Sequence, residues 1–239
     1  MLRYLTNKTK AMLMMVIPAV ILICSSMVYA NDATGVRTRQ ISMLAFDKAV
    51  LLDVVGPLTV FSAANFILSM ENGKAIKAYK IEILAEQVGR VNSHSGMRFA
   101  ADNSFLYAHH NIDTLLIAGG PGVKAASEDL KIRRYLQTMV TKARRIGSIC
   151  GGALILANAG ILDGKKATTH WNDIKGLVET HPAVDIKSGI TYVRDGHIYT
   201  SGGVMNGVQL ALALLEEDYG IDLTLKVAKL MEVTYKQQS

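Results

Sequence analysis

The 239-residue chain holds only two cysteines, Cys24 and Cys150, and a single tryptophan, Trp171. Two thiols exclude a disulfide-stapled scaffold. There is no internal repeat and no low-complexity segment, which excludes solenoids and arrays. No basic stripe with interleaved aromatics is present, so nucleic acid is not an expected partner. His, Cys, Asp and Glu do not recur at metal-site spacing; the His109-His110 doublet in a polar connector stands without further ligands. No metal and no cofactor are expected.

Charge is also missing from Ala11 to Cys24. Arg3, Lys8 and Lys10 precede this run, and Ser25-Ser26-Met27-Val28-Tyr29-Ala30 follows it. A basic head, a short apolar middle and small residues at Val28 and Ala30 predict a secretory signal over residues 1–30. The run falls short of the ~20 residues of a membrane span. Ile23 stands where a small residue would precede a lipidated cysteine, so Cys24 is not read as a lipid anchor. The expected location is periplasmic or secreted, with no membrane contact after cleavage. Removing residues 1–30 takes away three basic and no acidic residues, so the formal charge falls from +6 to +3. Residues 31–39 read as a flexible polar leader and 40–239 as a single domain. The mature chain then keeps one thiol, Cys150, which in an oxidising compartment is either buried or reactive.

What is present is a regular alternation of strands and helices. Gln40–Phe46 reads as a buried strand, and a helix follows Asp53-Val54-Val55-Gly56-Pro57 through about Met70. Tyr79–Ala85 reads as a second strand, and Gly89–Phe99 as a pair of short strands in which His94 is a surface or packing histidine. Thr114–Ala118 is wholly apolar after its first residue, as expected of a strand covered on both faces. Glu128–Lys142 reads as one amphipathic helix. Ala167–His170 reads as a strand and Trp171–Thr180 as a helix. Asp195-Gly196 marks a hairpin between Ile190–Arg194 and His197–Ser201. Helices over Val204–Glu217 and Leu223–Tyr235 end the chain. The predicted class is α/β: a mainly parallel sheet flanked by helices on both faces.

The stretch Arg144–Gly152 carries the most chemical information. It reads as a short strand ending on Cys150, with a helix over Ala153–Ala159. A nucleophile on such a turn needs small neighbours two residues away, here Ser148 and Gly152. The thiol would leave the sheet, and the helix N-terminus would favour thiolate. The other reading is a buried, inert cysteine. Asp53 has two readings as well, an N-cap or a carboxyl group aimed at the site. Gly119-Gly120-Pro121-Gly122 either brings backbone N–H groups close to a ligand or only turns the chain. All three stretches fall at the carboxyl ends of predicted strands, where open α/β sheets bind ligands.

Leu51-Leu52-Asp53-Val54-Val55-Gly56-Pro57, Ala118–Gly122, Ser148–Ala153, Ala159–Trp171 with its Ala-Thr-Thr-His-Trp ending, and Thr200–Gly203 together resemble the DJ-1/PfpI superfamily. That is the class I glutamine amidotransferase-like, flavodoxin-like group. The branch with isocyanide hydratases and the N-terminal domains of AraC-type regulators is most similar, over about residues 40–220. The resemblance implies catalytic roles for Cys150 and Asp53. It implies backbone N–H donors for a developing anion at Gly120 and Gly151, and pocket positions at Gly119, His170 and Ser201. It also implies a homodimer. Gly151 departs from the His of protease-like members and the Thr of the hydratases, and Gln209 from the Asp usual in regulators. The expected function is a cysteine-dependent hydratase or hydrolase of a small electrophile. The alternative is a non-catalytic binding or sensing domain for a small ligand.

Overall fold

The computed structural model describes residues 37–108 and 111–237. The chain divides into two units, residues 1–37 and 38–239, and the second carries every element below. The predicted signal, most of the leader and the His109-His110 doublet lie outside the described residues.

In chain order the elements are β1 (Arg39–Leu44), α1 (Leu51–Asn72), β2 (Tyr79–Ala85), β3 (Gly89–Asn92), β4 (Arg98–Ala101), β5 (Asn103–Ser104), β6 (Thr114–Ile117), α2 (Val123–Glu128), α3 (Leu130–Met139), β7 (Arg145–Ser148), α4 (Gly152–Asn158), β8 (Lys166–Ala167), α5 (Ile174–Thr180), β9 (Asp185–Ile186), β10 (Tyr192–Asp195), β11 (Ile198–Ser201), α6 (Val204–Tyr219) and α7 (Ile221–Leu230). The main sheet runs β10-β11-β7-β6-β1-β2-β5. All of its pairs are parallel except β10 with β11.

The central strands β6, β7 and β11 are buried along their whole length, as strands covered on both faces must be. Alternate side chains of a strand point to opposite faces. Leu115 and Ile117 join a core with Leu136 of α3 and Ile155 of α4. Leu116, between them, is turned to the other face, where its side chain and that of Leu210 of α6 both crowd the place a Cβ on Gly147 would take. Helices α1, α6 and α7 pack on one another along this second face.

Several predicted boundaries are corrected. Helix α1 begins at Leu51 and carries Pro57 inside it, so Asp53 lies in the first turn and the N-cap is Val50. The predicted helix over Glu128–Lys142 is two helices. Asp129 is extended and its side chain accepts the Lys131 N–H at 2.7 Å, a local cap that outweighs continuous apolar spacing. The predicted strand Ala167–His170 shrinks to β8, paired with β9 outside the main sheet. Helix α5 starts later than Trp171 because Asp173 N–H closes a turn onto His170 C=O at 2.9 Å.

Candidate active site

The turn from β7 to α4 carries Cys150 at φ +55. A side-chain-bearing residue adopts this left-handed conformation at a cost of about 1–2 kcal/mol, so neighbours must hold it there. Two hydrogen bonds do. Cys150 N–H donates to Gly202 C=O at 2.7 Å, and the Thr169 hydroxyl donates to Cys150 C=O at 3.0 Å. Gly152 follows on the helix, where a Cβ would stand 2.8 Å from the carbonyl oxygens of Ile117 and Ala118. The sharp turn therefore leaves the Cys150 side chain partly exposed above a buried strand.

Asp53 approaches from α1. Its backbone N–H donates to Val50 C=O, and its side chain is fully buried. Oδ2 accepts the Gly119 N–H at 3.1 Å. Oδ1 is buried without a donor in hydrogen-bond geometry among the described residues. A Cβ at position 119 would lie 2.7 Å from Cys150 Cβ and 2.8 Å from Asp53 Oδ2. Only glycine there lets the acid and the cysteine come this close. Gly120, at φ +132, turns the chain under the N-terminus of α1, where a Cβ would meet Val50 N at 2.6 Å. Its N–H has no acceptor among the described residues. The Gly151 N–H faces the Cys150 sulfur and favours its charge.

Burial pushes the Asp53 carboxyl up to about 6, against the Gly119 N–H, the adjacent thiol and the charge of His94, which pull it down. Burial, and then the negative charge of Asp53, push the Cys150 thiol up to about 12, and the Gly151 N–H only partly opposes this. The expected thiolate is thus corrected to a resting thiol. A helix of seven residues offers one N–H and a weak dipole against desolvation and a carboxylate. Near neutral pH the pair holds one proton, on sulfur, with a carboxylate alongside to receive it.

The other expected site residues separate. Gly119 lies between Asp53 and Cys150, buried. Ser201 is fully buried, and its hydroxyl donates to Ser148 C=O at 3.2 Å, so it braces the strand beneath the elbow and does not line a pocket. His170 is half-buried over Gly203, beside the Trp171 ring, with Nδ1 accepting the Asn172 N–H at 3.4 Å. His94 is exposed at the surface, near enough to act on Asp53. Among the described residues no group of three or more His, Cys, Asp or Glu is placed to hold a metal ion.

One residue near the thiol escaped sequence reasoning. Asp173 Oδ2 stands 2.9 Å from where a Gly151 Cβ would be, and its charge acts on Cys150. Nothing in its sequence neighbourhood separates it from an ordinary helix cap. The only clue was the glycine at position 151, which leaves room for a side chain arriving from elsewhere.

The DJ-1/PfpI family pattern matches residues 39–217. The chain is 30% identical over 183 residues to isonitrile hydratase of Pseudomonas putida, across 77% of this chain and 73% of that one. It is 26% identical over 174 residues to the HTH-type transcriptional regulator CdhR of Pseudomonas aeruginosa, across 71% of this chain and 51% of that one. Among solved structures, a ThiJ/PfpI family protein from Pseudomonas syringae superposes with a TM-score of 0.72 at 26% identity, across 84% of this chain and 78% of that one. The parallel sheet, the order of its elements and a match running from β1 into α6 lead to one assignment: this chain belongs to the DJ-1/PfpI family.

Proposed function

We propose that this protein is a cysteine-dependent hydratase of a small electrophile, with an isocyanide-type carbon as the substrate class. The observation that carries the reading is the strained Cys150 turn set against a buried, incompletely hydrogen-bonded Asp53 carboxyl. Isonitrile hydratase among the relatives supplies the chemistry to test.

In this mechanism Asp53 acts first as a base. As the sulfur bonds to the terminal carbon of the isocyanide, the thiol proton passes to Asp53, which then delivers it to the same carbon. The result is a thioimidate on Cys150. Backbone N–H groups of Gly120 and Gly151 stabilise charge during addition, each a contribution of ~3 kcal/mol when well aimed. Water adds to the thioimidate carbon, the C–S bond breaks, and an N-substituted formamide leaves.

The test is formamide production from a small alkyl isocyanide, followed by NMR, with the wild type and Cys150→Ser side by side. Turnover lost in the variant supports the reading; equal turnover in both ends it. A second reading, a ligand-binding or sensing domain, draws on the resting thiol. Thermal-shift binding without turnover, together with an alkylation-resistant Cys150, would favour it. We further propose export through residues 1–30 and assembly as a homodimer. N-terminal sequencing of protein from the periplasm and light scattering of the purified chain check these two points.

A further inference from the structure

The space beside the nucleophile is occupied in an unusual way. Position 151 is glycine, and the volume its side chain would take holds the Asp173 carboxylate, 2.9 Å from the Cβ point, and both methyls of Val123, each 3.4 Å away. Asp173 precedes α5 as its N-cap, yet its side chain makes no capping bond. Its backbone is fully engaged, with N–H on His170 C=O and C=O accepting Leu177 N–H. An Asp at this position ordinarily bonds the free N–H groups of its own helix. Here the carboxylate is turned toward the elbow and makes no hydrogen bond or ion pair among the described residues. Its negative charge raises the proton affinity of Cys150, so its placement works against thiolate formation.

The two acids near the sulfur differ in setting. Asp53 is fully buried and bonded to Gly119. Asp173 is half-buried and lines a cavity of about 370 Å³ with Val123, Thr169, Leu154 and Asn158. Val123 and Asp173 thus border both the elbow and the cavity. A water arriving on the cavity side meets Asp173 and not Asp53. A carboxylate without a protein donor is a competent acceptor for such a water's proton.

We propose that Asp173 is the base for the second half-reaction, taking a proton from the water that attacks the Cys150-bound carbon. This rests on the hydratase reading above. Asp53 places the thiol proton on carbon in the first half. In the second, the water oxygen bonds to that carbon, the C=N π pair moves to nitrogen, and one water proton passes through Asp173 to nitrogen. The C–S bond then breaks with its electron pair on sulfur. The remaining hydroxyl proton ends on sulfur as the carbonyl forms, so substrate and water together equal the formamide.

The test compares the wild type with Asp173→Asn and Asp173→Ser; serine supplies a helix cap without an acid. A small alkyl isocyanide is mixed with each, and both steady-state turnover and the covalent adduct on Cys150 are followed, the latter by intact-mass spectrometry after acid quench. Turnover should fall about 100-fold in both variants, within the range of a lost proton-transfer group. The adduct, undetectable in the wild type, should accumulate on nearly every chain, because addition proceeds and hydrolysis stalls. In the absence of substrate, the alkylation profile of Cys150 should shift to lower pH when the charge is removed. Turnover within threefold of wild type in either folded variant, or turnover lost without adduct, would overturn the role of Asp173 and leave the hydratase reading standing. No turnover in the wild type would overturn both.

Discussion

The two ends of the central sheet treat buried charge in opposite ways. At the start of the strands, Asp113 and Asp218 are surrounded by cations. Arg144 Nη2 lies 2.7 Å from Asp113 Oδ1 and 2.7 Å from Asp218 Oδ1, and Arg145 Nη2 lies 2.7 Å from Asp218 Oδ2. Arg39 and the Tyr79 hydroxyl complete the set. Burial alone would raise Asp113, but the hydrogen bonds and charge of Arg144, with Arg145 behind them, hold it below its ordinary value. At the far ends of the same strands, Asp53 of α1 is fully buried and receives one backbone N–H. It sits well above its ordinary value. The same kind of side chain, packed against the same sheet, is held as an anion at Asp113, where arginines face it, and becomes a proton acceptor at Asp53, where none does. The first arrangement ties β1, β6, β7 and α6 together; the second leaves a carboxyl group reactive.

Substitutions at the two ends should therefore separate activity from stability. The largest effect is expected at the elbow: Cys150→Ser should lower turnover by about 10⁴-fold, equivalent to about 5.5 kcal/mol of barrier, with an unchanged urea midpoint. At the other end, Arg145→Met removes the fully buried guanidinium and leaves Asp218 to Arg144 and Arg39, and should cost about 3 kcal/mol in urea unfolding, while the folded fraction keeps its turnover per molecule. Asp53→Asn should do the reverse. Its folded carboxyl titrates near 6 against an ordinary value of 3.8, so its stabilising contribution is complete below about pH 4 and is lost as pH rises through 6. The asparagine variant should be more stable than wild type by about 3 kcal/mol at pH 8, show no such advantage at pH 4, and turn over at least about 100-fold more slowly. Wild-type turnover should correspondingly fall as pH drops below about 6, because the carboxylate that receives the thiol proton is neutralised. The smallest effect is expected at Ser201→Ala, which removes one buried hydrogen bond to Ser148 and should cost about 1 kcal/mol without changing turnover.

Local chemistry explains what could be read from the sequence. The apolar run ahead of Gly119, the small residues around Cys150 and the Asp195-Gly196 hairpin signal are short-range features, and the strands they predict are present. The order of motifs carried the family. Contacts between distant segments were not legible in the same way. Asp53 as N-cap and Asp53 as site carboxyl have the same local sequence; only the Gly119 N–H, 66 positions away, separates them. The state of the thiol depends on desolvation and on a carboxylate from another element, so helix-terminus reasoning alone gave the wrong sign. Asp173 was invisible because its distinction lies in the bond it does not make to its own helix. Ser201 shares its glycine-rich surroundings with pocket loops, but it sits at the end of a fully buried strand.

The pairing of an un-ionised thiol with a proton-accepting acid is most directly tested by the rate of Cys150 alkylation against pH, in the wild type and in Asp53→Asn. With the thiol pushed up to about 12 by burial and by Asp53, the wild-type rate should keep rising past about pH 10 without a plateau. Removing the Asp53 charge should move the whole profile to lower pH. A wild-type plateau with its midpoint near neutrality, or a profile that Asp53→Asn leaves unmoved, would contradict it.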